Sequence, residues 1–171
     1  MSSTSSDNTP PKKGDGSSHR SGRSAARLAA VQALYQMDVA QTDLDDVINE
    51  FVEHRLGQEV EGVLYHEAEQ PHFDDVVRGV VREQRDIDTR INEALAKGWV
   101  LARLDSTLRA TLRAGTYEIQ RCKDVPAKAI INEYVDVAHA FFEGDEPGVV
   151  NAVLDRLAHA LRPQEFGQTE A

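Results

Sequence analysis

One cysteine, Cys122, stands in a chain of 171 residues. A lone thiol excludes a disulfide framework within the chain and suits a reducing compartment. No run approaches the roughly 18 consecutive apolar residues that a membrane-spanning helix needs. The opening stretch, Met1 to Ser18, is polar and lacks the apolar block of a secretory signal, so the expected location is the cytoplasm. Aromatic residues are scarce, at 6%. Nowhere do four to eight β-branched residues alternate with polar ones between turn signals, which argues against a sheet. No repeat of fixed period occurs. The phosphate-cradling, dinucleotide-binding and nucleophile-elbow glycine motifs are all missing. His54, His66 and His72 share a region with Glu59, Glu61 and Glu67, but their spacing matches no defined metal site. No metal, cofactor or catalytic centre is expected, and the chain reads as a non-enzyme.

What is present is helical spacing. Apolar residues form 40% of the chain, enough for a core. Ser24 is a plausible N-cap for a first helix with Leu28, Val31, Leu34 and Tyr35 on one stripe. Thr42 or Asp43 precedes a second stripe of Leu44, Val47, Ile48, Phe51 and Val52. Residues 57–72 carry Gly57, Gly62 and Pro71 and read as a long acidic connection. From Phe73 the period is clean through Val76, Val77, Val80, Ile87, Ile91 and Leu95, a helix of about 35 Å ending near Gly98. A short turn around Val100–Leu104 follows. Asp105 or Ser106 then caps a helix with Leu108, Leu112, Gly115, Thr116 and Ile119 inward. Asp124-Val125-Pro126 opens the next, striped by Ile130, Ile131, Tyr134, Ala138, Phe141 and Phe142. Asp145-Glu146-Pro147 opens the last, lined by Val150, Val153, Leu154 and Leu157. The expected fold is all-α: a compact bundle of about seven helices, with two sub-bundles divided near residue 98. Residues 1–22 read as a disordered basic tail, 23–162 as the helical domain and 163–171 as a flexible end. Carboxylates such as Glu118, Glu133 and Asp136 are expected in surface pairs or partner contacts.

The net charge of −10 argues at first against nucleic acid. Its distribution is uneven. In residues 1–30 five bases face two acids, a balance of +3, whereas in 31–100 six bases face sixteen acids, a balance of −10. A basic end on an acidic body points to a nucleic-acid arm. Arg20, Arg23 and Arg27 recur every three or four residues, so in a helix they share one side and reach successive phosphates. Gly22 argues that the free helix stops short of Arg20, and Lys12 and Lys13 extend the footprint as an arm. Tyr35 could stack on a base, but its stripe position favours core packing.

Four segments together resemble the NusB family of bacterial transcription factors: Arg23–Arg27 with Val31–Gln36, Leu108–Ile119, Asp124–Pro126 with Ile131–Glu133, and Val150–Asp155. The likeness runs from about Arg23 to Pro163. It implies an all-α fold of two sub-bundles and binding of single-stranded, boxA-type leader RNA of ribosomal operons. The implied protein partners are the small-subunit ribosomal protein acting as NusE, other Nus factors and RNA polymerase. By resemblance, Arg113, Lys128 and Asn151 join Arg20, Arg23 and Arg27 on one RNA face, while Asp145 and Leu108 fall at NusE-facing positions. The chain departs from the family at Ser24 and Ala25, where arginines occur, and at Val149, where an aromatic occurs. Two further readings stand beside the adapter. One is an RNA-independent interaction module, a homodimer; the other is the helical front domain of a ribosomal-RNA methyltransferase.

Overall fold

The computed structural model describes the backbone of residues 16–54, 59–60, 63–64 and 70–167, and the side chains of 22–54 and 70–167. Six α-helices carry it: α1 Gly16–Ala40, α2 Leu44–His54, α3 Gln70–Ala94, α4 Ser106–Arg121, α5 Ala127–Phe141 and α6 Glu146–Leu161. Two short 3-10 helices, Leu101–Arg103 and Pro163–Phe166, join them, and the first is the turn expected before α4. Within the acidic connection a two-residue antiparallel pair forms, β1 Glu59–Val60 against β2 Val63–Leu64.

The helix starts follow from local chemistry, with two exceptions. Asp105 caps α4, its carboxylate accepting from Thr107 N at 2.8 Å and Leu108 N at 3.3 Å. Pro126 precedes α5 and Pro147 sits in the first turn of α6, where a missing N–H costs nothing. Asp145 makes no side-chain cap, its backbone being already helical. Ser24 is no cap either. Helix α1 passes through it and begins at Gly16, so Gly22 does not end the helix and residues 16–22 are not an unstructured tail. Tertiary anchoring of α1 outweighs the roughly 1 kcal/mol that an interior glycine costs. At the far end of α1, Gln41 takes φ 55° and turns the chain into α2. Gly98 does the same after α3 with φ 90°.

One continuous cluster of buried residues runs through both halves of the bundle, on either side of the turn at Gly98. Helix α4 is its axis, packed by α1, α3, α5 and α6. Small residues let it be enclosed: a Cβ at Gly115 would stand 2.7 Å from Leu154 Cδ1 of α6. Leu112, Ala114, Thr116, Glu118 and Ile119 are sealed from water. Phe51 of α2 stacks on Phe73 of α3 with centroids 5.4 Å apart. Phe141, expected in the core, is exposed.

Candidate nucleic-acid and partner surfaces

Arg27 is not at the surface. It is 3% exposed, and its Nε and Nη2 donate to Glu118 Oε2 at 2.9 Å and Oε1 at 3.0 Å. Glu118 in turn is fully buried, a correction to its expected surface role. Tyr134 Oη of α5 donates to the same carboxylate. His72 Nε2, in the first turn of α3, stands 3.1 Å from Glu118 Oε1 but off the line of a hydrogen bond, so it is buried without a directed partner. Burial alone would raise the Glu118 carboxyl; the neighbouring His72 ring and Arg27 guanidinium outweigh it and hold it down at about 2. Burial likewise lowers the Arg27 guanidinium, and its bonds to Glu118 more than reverse this, leaving it raised. One step outward, Ser24 Oγ donates to Glu133 Oε2 of α5 at 2.7 Å, and Glu133 lies 3.6 Å from Arg27 Nη1. A charge so committed cannot meet a phosphate. Arg27 instead clamps α1 to α4 and α5.

Of the other residues expected at RNA, Arg23 is half-buried on α1, and the backbone of Arg20 belongs to the same helix while its side chain lies outside the described residues. Lys12 and Lys13 lie outside them altogether. Arg113 donates to Asp88 Oδ1 at 2.9 Å and Oδ2 at 3.0 Å, and stands 3.8 Å from Asp38. It lines a groove with Leu34, Gln41, Val80 and Gln84, on the α3 flank of α1. Lys128 is exposed at the start of α5, a helix that packs along α1 beside Ser24 and Leu28. Asn151 is exposed on α6, eight residues and about 12 Å of helix from His159, whose ring reaches the neighbourhood of Lys128 through Phe166. Arg113 is engaged by carboxylates of α1 and α3, whereas Lys128 and Asn151 are exposed on α5 and α6.

The partner residues divide too. Leu108 is 4% exposed and belongs to the core, so it cannot face another protein. Asp145 is exposed before α6. Sequence reasoning missed a groove of about 360 Å³ lined by Val31, Gln32, Tyr35, Val39, Thr107 and Phe141. Tyr35, expected to pack inward, is 42% exposed on its wall. The signal was present in the spacing: Tyr35 and Val39 are four apart, a second apolar stripe beside the one that faces the core.

Cys122 is half-buried, and burial pushes its thiol up to about 12, the opposite of an activated thiolate. Among the described residues no group of three His, Cys, Asp or Glu is placed to hold a metal, and no helix is long and apolar enough to cross a membrane. His66 and the side chains of Glu59, Glu61 and Glu67 lie outside them.

Comparison with known proteins agrees with this architecture. The transcription antitermination protein NusB of Rhodopseudomonas palustris (strain BisB18) is 57% identical over 162 residues, which cover 95% of each chain. NusB of T. maritima matches in structure with a TM-score of 0.71 at 27% identity, over 85% of this chain and 97% of that one. A chain from the crystal structure of antitermination factors NusB and NusE in complex with dsRNA matches with a TM-score of 0.69 at 24% identity, over 82% of this chain and 98% of that one. The model of the NusB family spans residues 24–159, from the serine that ties α1 to α5 to the last turn of α6, and the chain belongs to that family.

Proposed function

We propose that this chain is a transcription antitermination factor: a non-enzymatic bacterial adapter, working in the cytoplasm, that holds boxA-type leader RNA of ribosomal operons beside a small ribosomal protein acting as NusE. In that role it joins the other Nus factors on RNA polymerase. The observation that carries the reading is the course of α1. The helix runs unbroken from Gly16, and the buried Arg27–Glu118 pair clamps it, so Arg23 and Arg20 stand about one and two turns beyond a fixed point. Cations on a rigid extension meet phosphates with less ordering cost than cations on a loose arm. Lys128, exposed on the neighbouring helix, adds a further contact. The relative named above is an antitermination protein, and a member of the fold has been solved with NusE and RNA. Asp145, four residues beyond the groove-lining Phe141, is the proposed edge of the ribosomal-protein contact.

Fluorescence anisotropy with a labelled boxA-like RNA, across a salt series and with and without the ribosomal protein, tests this. The Arg20→Ala/Arg23→Ala variant is expected to bind more weakly and to reduce the log–log salt slope by about 1.4, roughly 0.7 per lost phosphate contact on a single strand. An unchanged slope removes these arginines from the RNA surface. A duplex RNA of the same sequence separates single-strand from shape recognition.

The exposed wall of Tyr35, Val39 and Phe141 favours a second reading, an interaction module that self-associates through the groove. Light scattering that finds a stable dimer indifferent to RNA supports it over the first.

A further inference from the structure

Residues 163–167 were read from sequence as the start of a loose end, yet together with Arg162 they form a strap across the junction of α4, α5 and α6. Arg162 is 3% exposed, and its guanidinium collects the carbonyls that end α4. Nε donates to Ile119 O at 2.8 Å, Nη2 to Glu118 O at 3.1 Å and Cys122 O at 2.9 Å, and Nη1 to Val125 O at 2.6 Å. The same Nη1 reaches Glu165 Oε2 at 3.2 Å, and Glu165 Oε1 accepts from Ala127 N, the first amide of α5, at 3.0 Å. One carboxylate thus ties the strap both to the buried arginine and to the start of α5. Gly167, at φ 72°, closes the turn. The result is a fixed location for Phe166. Its ring stacks on His159 of α6 with centroids 3.8 Å apart and planes 25° apart. Over the ring lies the ammonium of Lys128, 5.9 Å from its centroid.

We propose that Phe166 is a positioning residue for RNA binding: the strap holds its ring beneath Lys128 and so presets the ammonium at the start of α5 for a phosphate. This rests on the RNA-binding reading above and deepens it. The chemistry is that of preorganisation. An exposed lysine has four rotatable bonds, and fixing it on arrival of RNA costs entropy that an aromatic seat has already removed. A cation over an aromatic face is attracted to the ring quadrupole while its remaining N–H groups face outward to an acceptor. The seat needs a flat ring; an aliphatic side chain of similar bulk supplies the packing but not the attraction.

That distinction sets the test. Phe166→Leu, Phe166→Tyr, Lys128→Ala and the double variant Lys128→Ala/Phe166→Leu are compared by anisotropy with the single-stranded probe. In parallel, NMR follows the ring-current shift of the Lys128 side-chain methylenes without RNA. The expected results are a Phe166→Leu variant that folds with the wild-type circular-dichroism spectrum, loses the ring-current shift and binds RNA about 2- to 5-fold more weakly, the range of an exposed cation–π contact. Phe166→Tyr restores both readouts. The double variant is no weaker than Lys128→Ala alone, because the ring acts only through the lysine. Additive losses in the double variant overturn the proposal, as does unchanged RNA affinity in Phe166→Leu. Unchanged affinity in Lys128→Ala, with weakened binding in Arg20→Ala/Arg23→Ala, overturns the seat while the RNA-binding function stands. Unchanged affinity in every variant overturns both.

Discussion

Helix α4 supplies one member to each of two Arg–Glu pairs, three residues apart, and their surroundings could hardly differ more. Arg27–Glu118 joins α1 to α4 with side-chain exposures of 4% and 0%. Arg121–Glu83 joins α4 to α3 with exposures of 60% and 13%. The chemistry is identical and the contact short in both. In the sealed pair each charge has lost its water and depends on its partner; in the open pair Arg121 is free to take up water, and Glu83 keeps Arg82 beside it at 3.4 Å. A buried pair is therefore weak evidence for added stability but strong evidence of dependence, whereas an exposed pair contributes little in either sense. The same asymmetry bears on function. The sealed pair sets where α1 leaves the bundle, and thus where Arg20 and Arg23 stand.

Removing one member of the sealed pair gives the largest effect. Arg27→Met is expected to cost about 3–5 kcal/mol in urea unfolding, since it strands the Glu118 carboxylate in the core. The double variant Arg27→Met/Glu118→Leu costs less than the single one, because no fully buried charge is then left unpaired, Glu133 being partly open to water. A double variant as damaged as the single would show that packing, not charge, sets the penalty.

Acid sharpens the comparison next. The Glu118 carboxyl is held at about 2, below its ordinary 4.5, by His72 and Arg27 acting against burial. A lowered folded value means that its contribution is complete above about 4.5 and is lost as pH falls toward 2. Unfolding free energies measured across that window should fall more steeply for the wild type than for Glu118→Gln. Parallel curves would remove the carboxylate from the acid response.

The smallest effect belongs to the open pair. Arg121→Ala should leave the urea midpoint and the RNA salt slope where they are. A lowered midpoint would mean that the two pairs are not as different as their exposures say.

Much of the fold was legible because it is local. The stripes of Val47, Ile48 and Phe51, and of Val76, Val80, Ile87 and Ile91, mark faces that did become the core. Asp105, Pro126 and Pro147 mark helix starts that formed. The site was less legible. Arg20, Arg23 and Arg27 repeat at one helical spacing, and nothing in that spacing says that the third meets Glu118 from 91 positions away. Glu118 lies between the uncharged run Ala114-Gly115-Thr116-Tyr117 and Ile119, and the run's small first three residues fit an enclosed helix; this was the available sign of its burial. Arg162 gave little sign, because four of its five hydrogen bonds go to backbone carbonyls, which every sequence has.

Helical periodicity and the helix starts at Asp105, Pro126 and Pro147 were settled by the chain itself, since each depends on residues within a few positions of one another. Which charges would be buried, which tyrosine would face water, and which cation would rest on a ring were decided only when distant helices closed on α4. Burial is a property of what surrounds a residue in space, and a charge is worth a different amount on each side of that closure.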